Sequence, residues 1–540
     1  MHCLTSVLAL IVAAQVFGQY TPDWGSLDKR PIPEWFDDVK FGLMISYGIY
    51  SVPAWAPVGS YEEWYWHNLN SPGSKTQIWH NATYGPDFKY EDFLPMLKGE
   101  LFDADEWADI FFRAGLKYFV PLSKHHDGYT LWPSKTAWNW NSVDTGPHRD
   151  IIGELTTALR KRGLHAGVYF SLYDWYHPLY RGPNPELYVS EVMWPQLMEL
   201  VHNYTPDILW TDGDWEQTAA FWNSTEFLAW LYNESPVKDK IVVNDRWGKG
   251  TRHLHGGFYT EEYSSHTESN HKWEENSGID IHSYGLNRNT PPDKYWSAEY
   301  LINLLVRSVA YGGNLCLNVG ISADGKVPNI QAERLLAIGS WLNVTGEAIY
   351  NTTKYKTPEE MVVVGKNFVV VPNSNNVFGA VSPKGNTSSI MYLGTFSSYE
   401  ECMKRCMAYN ACNSFTWIGP QVVDGYKNEC FGRNDSVWSP STEANHTSGH
   451  KDALNARYTA SKIQKGTIYA IIDSWPTGNN LTLSSPVPTS GTVVSLLGYS
   501  EPLKWNGTPG KAGISIDWPL LTISELPCMY QWAVKITNAT

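Results

Sequence analysis

The sequence predicts an α/β protein in which a (β/α)8-like barrel precedes a C-terminal antiparallel β-sandwich that carries a small disulfide-rich insertion. From residue 35 to residue 350, short apolar runs alternate with amphipathic helical patterns, which favours a mostly parallel sheet. After residue 350 the pattern changes to alternating strands separated by turns rich in Gly, Pro, Asn and Ser. Finally, cysteines cluster between residues 402 and 430, which is typical of a small module held by disulfides.

The barrel is predicted from its apolar runs and from the helical patterns between them. Two helices carry end signals: one over 103–115, and one over 150–163 that Asp150 caps and Gly163 ends. The alternative, an open doubly wound sheet, would carry a glycine-rich dinucleotide loop, which the sequence lacks. We expect strands at 41–47, 118–123, 165–172, 207–210, 241–244, 257–260 and 314–319.

The N-terminal stretch over residues 1–18 is typical of a secretory signal peptide, although only His2 could carry positive charge. Residues 19–23 end the apolar run before it reaches about 20 residues, the length that a membrane anchor needs. Asn-x-Ser/Thr sequons fit the same route, among them Asn81, Asn203, Asn343, Asn445 and Asn506. We therefore expect a soluble glycoprotein of the secretory pathway, secreted or lysosomal, with a barrel over 19–350 and a sandwich over 351–540.

The composition narrows the classes of partner. A formal net charge of −14 without a long basic run argues against nucleic acid and against anionic membrane surfaces. The 26 tryptophans offer flat apolar faces that could stack on sugar rings, or a large aromatic core, and we expect both. No HExxH, Gly-x-Ser-x-Gly or phosphate-binding loop occurs, so neither a metal nor an organic cofactor is predicted.

Polar and aromatic residues follow the predicted strands, at the ends where a (β/α)8 barrel places its reacting groups. Asp212 is the clearest case, because it follows an apolar run, precedes a glycine and lies between two tryptophans. A carboxylate in such a setting is typical of a glycosidase nucleophile, whereas an isolated Asp-Gly more often only caps a loop. The other strand ends supply further parts of a sugar site: Ser46, Tyr47, Lys124, His125, His126, Asp127, Tyr173, Asp174, Trp175, Trp210, Asn244, Asp245, Arg246, Glu261 and Glu262.

Seven ordered motifs closely resemble the retaining α-L-fucosidases, over residues 30–350 and again over 458–540. They are Phe41-Gly42-Leu43 with Gly48-Ile49-Tyr50-Ser51-Val52-Pro53, Glu63-Trp64-Tyr65, Lys124-His125-His126-Asp127-Gly128, Leu209-Trp210-Thr211-Asp212-Gly213, Asn244-Asp245-Arg246-Trp247-Gly248, Lys272-Trp273-Glu274 and Gly312-Gly313-Asn314. The resemblance implies removal of terminal α-L-fucose from fucosylated glycans by double displacement, with Asp212 as the nucleophile. It also implies a fucose pocket lined by Glu63, Trp64, His125, His126, Tyr173, Trp210 and Arg246.

The acid/base residue varies in position within the resembling family, and two glutamates compete for the role here. Glu262 lies in Thr260-Glu261-Glu262-Tyr263, which matches a Thr-x-Glu-Tyr pattern of relatives. Glu274, within the Lys-Trp-Glu motif, is the rival. The motif match favours Glu262. A retaining mechanism needs two carboxyl groups about 5–5.5 Å apart, a distance that the sequence does not give, so both glutamates stay open.

The chain departs from the family after the first strand, where Ser46-Tyr47 replaces a usual His-Trp, and at Asn276, where many relatives have cysteine. The absent histidine would hydrogen-bond a fucose hydroxyl, and the loss of one such bond costs about 1–3 kcal/mol. We expect this to weaken turnover without abolishing it. The alternative hypothesis is a fucose-binding lectin or pseudoenzyme on a fucosidase barrel.

The cysteine module, over 385–457, has a sequence that resembles an apple-type (PAN-like) domain. We favour the pairs Cys406–Cys412 and Cys402–Cys430, while the other pairings stay open. Such modules bind proteins or glycans, and an insertion with no binding role is the alternative. Cys316, in an apolar run, is expected to be a buried thiol. The sequence leaves open whether the protein forms a homo-oligomer.

Overall fold

The structure, a computed structural model, describes residues 20–264, 269–375, 390–395, 414–418, 429–433, 441–476 and 478–540, and between residues 363 and 453 it describes main chain only. The helices in these ranges are α1 (Trp24–Leu27), α2 (Glu34–Val39), α3 (Tyr65–Leu69), α4 (Lys75–Thr83), α5 (Ala104–Arg113), α6 (Ile151–Lys161), α7 (Pro178–Arg181), α8 (Glu186–Tyr188), α9 (Trp194–Tyr204), α10 (Ser224–Asn233), α11 (Ala298–Ala310) and α12 (Asn329–Thr345).

The strands of the first part of the chain are β1 (Phe41–Ser46), β2 (Tyr118–Lys124), β3 (His165–Ala166), β4 (Val168–Ser171), β5 (Ile208–Asp212), β6 (Val242–Val243), β7 (Tyr259–Glu262), β8 (Trp273–Gly278) and β9 (Asn314–Gly320). The later strands are β10 (Thr352–Asn375), β11 (Ile390–Thr395), β12 (Ser414–Ile418), β13 (Glu429–Arg433), β14 (Ser441–Ser461), β15 (Ile468–Ile472), β16 (Asn480–Leu483), β17 (Pro488–Leu496), β18 (Pro502–Leu503), β19 (Trp505–Asn506), β20 (Ile514–Asp517) and β21 (Trp532–Ala539).

The chain divides into two compact units. Of the described residues, those within 1–33, 120–157 and 165–260 form the first unit, and those within 34–119, 158–164 and 261–540 form the second. In the first unit, parallel strands lie in the order β6, β5, β4, β2. The register of β4 and β5 places Tyr169 beside Trp210 and Ser171 beside Asp212. All five residues of β5 are buried, as in parallel sheets that are covered on both faces.

In the second unit, β9 lies between β1 and β8, and the three strands are parallel. Ser46 at the end of β1 is in register with Gly320, and Glu274 near the start of β8 is in register with Asn314, the first residue of β9. Because the strands are parallel, side chains at their carboxyl ends lie at one end of the sheet and side chains at their amino ends lie at the other.

The described strands after residue 350 pair antiparallel. One sheet has the order β11, β13, β12, β14, β15, β21, β17, β18, and a smaller sheet has the order β16, β20, β19. Residues from both sheets, such as Ile468 and Val534 from one and Leu483 and Ile516 from the other, contribute to one apolar core. The expected change from parallel α/β structure to antiparallel sheets is therefore confirmed, while closure of the parallel strands into an eight-stranded barrel stays a prediction.

The elements predicted for the parallel part are largely confirmed, and one described strand of that part was not predicted. Asp103 accepts hydrogen bonds from the first turn of α5, and Asp150 accepts one from Gly153 at the start of α6, as the capping signals indicated. The predicted strand over 165–172 is divided into β3 and β4. Strand β8 was not predicted, because its sequence Trp-Glu-Glu-Asn-Ser-Gly has residues that are usually depleted in strands.

The structure describes the side chain of Cys316 but not those of the clustered cysteines. Cys402, Cys406 and Cys412 lie outside the described residues, and Cys430 is described only as main chain of β13. The predicted disulfides and the insertion over 385–457 therefore stay predictions. Cys316 is a fully buried free thiol, as expected. Among the described residues, no helix has both the length and the apolar character that are needed to cross a bilayer.

Candidate active site

The loop after β5 presents Asp212 at the carboxyl end of its strand. The next residue, Gly213, has a φ of +81°, a conformation that favours glycine. A Cβ atom at this position would lie 2.6 Å from ring atoms of Tyr173. The turn therefore depends on glycine twice, for its backbone conformation and for the close approach of the Tyr173 ring.

Positive and hydrogen-bonding groups surround the Asp212 carboxylate. Arg246 Nη1 lies 2.9 Å from Oδ1, the Tyr169 hydroxyl donates to Oδ2 at 2.7 Å, and His126 Nε2 lies 3.6 Å from Oδ2. Burial favours the protonated acid, but Arg246, His126, Arg252 and the Tyr169 hydrogen bond outweigh it and hold the pKa of Asp212 well below its ordinary value. Asp212 is therefore ionised, which is the form that a nucleophile requires.

Arg246 is held in place by its own neighbours. Its Nε donates to the Thr260 hydroxyl at 2.8 Å, and that hydroxyl donates to Asp245 Oδ1 at 2.7 Å. The guanidinium lies 4.5 Å from the centroid of the Trp210 ring, close enough for a cation–π interaction. Trp210, Arg246 and Asp212, three residues predicted to form one pocket, are therefore in contact within the first unit.

The two histidines lie beside the same carboxylate. The Ser171 hydroxyl donates to the Tyr173 carbonyl oxygen, so His126 Nδ1 donates to Ser171 Oγ at 2.7 Å. This leaves Nε2 of His126 directed at Asp212. The His125 ring lies 4.1 Å from His126, between centroids, and burial together with that neighbour lowers the pKa of His125 well below its ordinary value. His125 is therefore neutral at physiological pH.

Tyr173 offers a polar atom to a ligand. Its ring stacks on His126 with centroids 4.6 Å apart. Its hydroxyl is buried, and within the described residues it has no hydrogen-bond partner. Burial raises the pKa of Tyr173, so the hydroxyl stays protonated and can donate. Because a buried unpaired hydroxyl is costly, a sugar hydroxyl or water is its expected partner.

Glu63 and Trp64 belong to the second unit. Glu63 is buried, and its Oε2 accepts the N–H groups of Gly285 at 2.8 Å and Tyr284 at 3.2 Å. Burial raises the pKa of Glu63 to about 7, although these N–H groups act in the opposite direction. Trp64 is half-buried beside Tyr61, with ring centroids 6.2 Å apart.

The raised pKa of Glu63 predicts a pH-dependent stability. The folded carboxyl binds a proton that the unfolded one, with a pKa near 4.5, releases, so stability falls as the pH rises from about 4.5 through 7. The contribution of this residue is about 3 kcal/mol over that range. We expect Glu63→Gln to lose less stability than wild type between about pH 5 and pH 8 when thermal unfolding is measured. Parallel pH profiles for the two proteins would contradict this assignment.

The two candidate acid/base residues occupy different ends of their strands. Glu262 is the last residue of β7 and is half-buried. Glu274 is the second residue of β8, is buried, and accepts a hydrogen bond from the hydroxyl of Tyr118, the first residue of β2, at 2.6 Å. Since reacting groups of such barrels lie at the carboxyl ends of strands, the position of Glu274 favours a structural role.

Two neighbours of Asp212, Tyr169 and Arg252, were not predicted from the sequence. Tyr169 lies inside β4, and only the parallel register with β5 reveals that it faces the carboxylate. Arg252 forms a bidentate ion pair with the buried Asp214, at 2.8 and 2.9 Å, and its Nη2 lies 4.0 Å from Asp212 Oδ1. Arg252 lies in a loop without apolar pattern, so its sequence position gave no signal for this contact.

The chain is similar to known proteins along most of its length. Residues 7–347 match the alpha-L-fucosidase family, and residues 451–537 match the alpha-L-fucosidase C-terminal domain. The chain is similar to the tissue alpha-L-fucosidase of Rattus norvegicus, with 46% identity over 545 residues, 98% of this chain and 96% of the relative. It is also similar to the tissue alpha-L-fucosidase of Homo sapiens, with 37% identity over 533 residues, 97% of this chain and 93% of the relative.

A solved structure shows the same likeness. The Thermotoga maritima alpha-fucosidase in complex with a mechanism-based inhibitor has a TM-score of 0.69 and 30% identity, and the match covers 96% of this chain and 100% of that one. The family match spans more than half of the sequence, and the relatives match along almost their whole length. The chain belongs to the α-L-fucosidase family and is a glycoside hydrolase that removes fucose.

Proposed function

We propose that Asp212 is the nucleophile and Glu262 the acid/base of a retaining hydrolysis of terminal α-L-fucosides. The observation that carries the proposal is the Asp212 carboxylate, which is buried, ionised and held by Arg246 and Tyr169 at the carboxyl end of β5. A loop cap would not require this set of partners. The position of Glu262 at the end of β7 supports its assignment over Glu274.

The reaction then proceeds in two displacements. Asp212 attacks the anomeric carbon while Glu262 protonates the departing glycosidic oxygen, which gives a fucosyl-enzyme ester. In the second step water attacks the anomeric carbon, Glu262 accepts its proton, and Asp212 leaves as a carboxylate. Arg246 and Tyr169 stabilise that leaving carboxylate, so the contacts that keep Asp212 ionised also favour release of fucose.

The pocket residues have separate tasks in this proposal. His125, His126 and Tyr173 present nitrogen and hydroxyl groups to the sugar hydroxyls, and the Trp210 ring forms an apolar wall beneath Arg246. Glu63 and Trp64 are assigned to fucose binding by their resemblance to the family motif. The fucosylated glycan that supplies the sugar is the substrate class, and the reaction as written uses neither a metal nor an organic cofactor.

Product stereochemistry tests the proposal directly. Purified protein is mixed with an aryl α-L-fucoside, and the anomer that forms first is followed by proton NMR. Retention gives α-L-fucose before mutarotation, whereas β-L-fucose as the first product would exclude the double displacement. Fucose binding without turnover would instead support the lectin or pseudoenzyme hypothesis, which the family comparison does not favour.

Ser46 and Tyr47 give a prediction about substrate affinity. Ser46 is fully buried and its hydroxyl donates to Asn318 Oδ1 at 2.9 Å, while Tyr47 donates to the Ala323 carbonyl oxygen at 3.3 Å. Both hydroxyls therefore have partners within the protein. We expect the double variant Ser46→His/Tyr47→Trp to bind fucose up to roughly tens-fold more tightly, because one sugar hydrogen bond is restored.

Calorimetric titration of fucose into the double variant and into each single variant checks this prediction. The double variant is the fairer test, because neighbouring residues rarely act additively. Weaker binding by a folded double variant would mean that the Ser-Tyr pair belongs to a pocket shaped for a different substrate. Activity in the double variant but not in wild type would support the pseudoenzyme hypothesis.

We also propose that the protein is a glycoprotein of the secretory pathway, either secreted or lysosomal. The apolar residues 1–18 and the sequons support this route. The cysteine cluster over 385–457 is proposed as an apple-like, disulfide-bonded insertion that could bind a protein or a glycan, on the strength of its sequence pattern. Mass spectrometry of the secreted protein, with and without reduction, tests the processing site, the glycans and the disulfides together.

A further inference from the structure

The segment that carries Glu262 contains an unfavourable backbone conformation, which contacts with neighbouring residues must stabilise. We call residues 261–264 the acid/base arm. Glu262 ends β7, and the next residue, Tyr263, has a φ of +47°. A tyrosine in this left-handed region costs on the order of 1 kcal/mol or more, so the conformation persists only where neighbours fix it.

Strand β8 supplies those neighbours. The Ser264 N–H donates to Glu275 Oε1 at 3.1 Å, and the Ser264 hydroxyl donates to Glu275 Oε2 at 2.7 Å. Next to this pair, the Tyr263 N–H donates to the Asn276 carbonyl oxygen at 3.2 Å. Of these bonds only the two to Glu275 depend on a side chain of β8, so a single residue can be changed to release the end of the arm.

The Tyr263 side chain continues the same attachment. Its hydroxyl accepts the Gly278 N–H at 3.1 Å, and its ring stacks on His282 with centroids 5.0 Å apart. The arm is therefore bonded to β8 at two consecutive residues, and Glu262 is the residue immediately before them. A shift of Ser264 would be passed through the Tyr263 turn to the Glu262 backbone.

Burying the carboxyl group of Glu275 is energetically unfavourable. Its side chain is buried, and burial, with Glu261 and Glu262 as charged neighbours, raises the pKa of Glu275 to about 7, although its bonds from Ser264 act in the opposite direction. An apolar residue would avoid this cost. The carboxyl group, however, provides two acceptor oxygens, and these receive both donors of Ser264.

We propose that Glu275 is a positioning residue for catalysis: by binding both donors of Ser264 it fixes the acid/base arm and sets the direction from which Glu262 protonates the leaving oxygen. This inference rests on the proposed acid/base role of Glu262. It assigns Glu275 no contact with the substrate. Its loss should therefore affect proton donation selectively, and leave binding of fucose and attack by Asp212 largely intact.

The test compares leaving groups in Glu275→Leu and in Ser264→Ala. A leucine side chain has no hydrogen-bonding atom, so both bonds to Ser264 are lost, whereas Ser264→Ala removes only the bond from the hydroxyl. Relative to wild type, kcat/KM should fall by about tenfold or more on a fucosyl disaccharide, whose leaving group needs protonation. On α-L-fucosyl fluoride, whose leaving group needs little protonation, kcat/KM should change by less than about threefold.

Matched controls separate this inference from its alternatives. Glu274→Leu changes the adjacent buried glutamate of β8, removes the acceptor of the Tyr118 hydroxyl, and should lower the unfolding temperature without altering the ratio of kcat/KM on the two substrates. Equal losses on both substrates in Glu275→Leu and Ser264→Ala would show a merely structural role and overturn the proposal. If Glu262→Ala itself lacks leaving-group dependence, the assignment of Glu262 has failed. If Glu262→Ala shows it while Glu275→Leu and Ser264→Ala do not, only the role of Glu275 has failed.

Discussion

Replacing Asp212 with glycine or alanine lowers kcat on an activated aryl α-L-fucoside by at least about a thousandfold, because the fucosyl-enzyme ester cannot form. The buried Arg246 guanidinium then loses an ionic partner at 2.9 Å, which costs several kcal/mol of stability. Circular dichroism and fucose titration must therefore show that the variant is folded and still binds the sugar. Near wild-type turnover in a folded Asp212→Ala protein would end the assignment.

Rescue by azide tests whether Asp212 acts as the nucleophile, because the anomer of the fucosyl azide shows which bond azide has replaced. In the glycine variant, azide can enter the space left by the carboxylate and attack the substrate once, which gives β-L-fucosyl azide with inverted configuration. Azide that attacks an intact fucosyl-enzyme ester gives the α anomer instead. We expect weak rescue and only the inverted product for Asp212→Gly.

Asp214 provides a matched control on the same loop. It is a buried carboxylate two residues beyond Asp212, but its bonds go to Arg252. Asp214→Asn should reduce kcat/KM by no more than about tenfold, because it alters only the position of a second cation near the nucleophile. A loss as large as that of Asp212→Gly would show that the activity depends on the charge of the loop in general.

The electrostatic surroundings of the two proposed catalytic carboxyls differ in sign. Asp212 lies among Arg246, His126 and Arg252, which favour its charged form. Glu262 shares its surroundings with a second acidic residue in the arm and with the buried Glu275.

The sequence predicts those features of the fold that follow from local patterns, and it does not predict those that depend on tertiary contacts. The strand ends that carry Asp212, His126 and Arg246 were predictable, because apolar runs mark the strands and parallel strands align their carboxyl ends. Strand β8 was not, since Glu274 and Glu275 are unfavourable in a buried strand on propensity alone. Tertiary partners, Tyr118 and Ser264 among them, make those positions acceptable.

The choice between Glu262 and Glu274 shows the same limit. Both glutamates lie in motifs that resemble the family, and spacing along the chain does not tell which end of a strand each one occupies. The structure supplies that distinction, with Glu262 as the last residue of β7 and Glu274 as the second of β8. Position in the fold therefore carries information that the motif does not.

Removing the acid/base residue should produce a loss that depends on the leaving group. We expect Glu262→Ala to reduce kcat/KM on a fucosyl disaccharide by about a hundredfold to ten-thousandfold, because the departing oxygen must then leave without a proton. On 2-chloro-4-nitrophenyl α-L-fucoside the first step needs little protonation, so the fucosyl-enzyme accumulates. Azide should then restore turnover and give the α-fucosyl azide, since it attacks without needing a general base.

Glu274→Ala should differ in each of these measurements. Its carboxylate accepts the Tyr118 hydroxyl among buried residues, so its loss leaves that hydroxyl without an acceptor and costs about 1–3 kcal/mol of stability. The unfolding temperature should fall, while the ratio of kcat/KM on the two substrates stays that of wild type and azide has no effect. If instead Glu274→Ala shows the leaving-group dependence and the azide rescue, and Glu262→Ala shows neither, the acid/base role belongs to Glu274 and the proposed arm has no part in proton transfer.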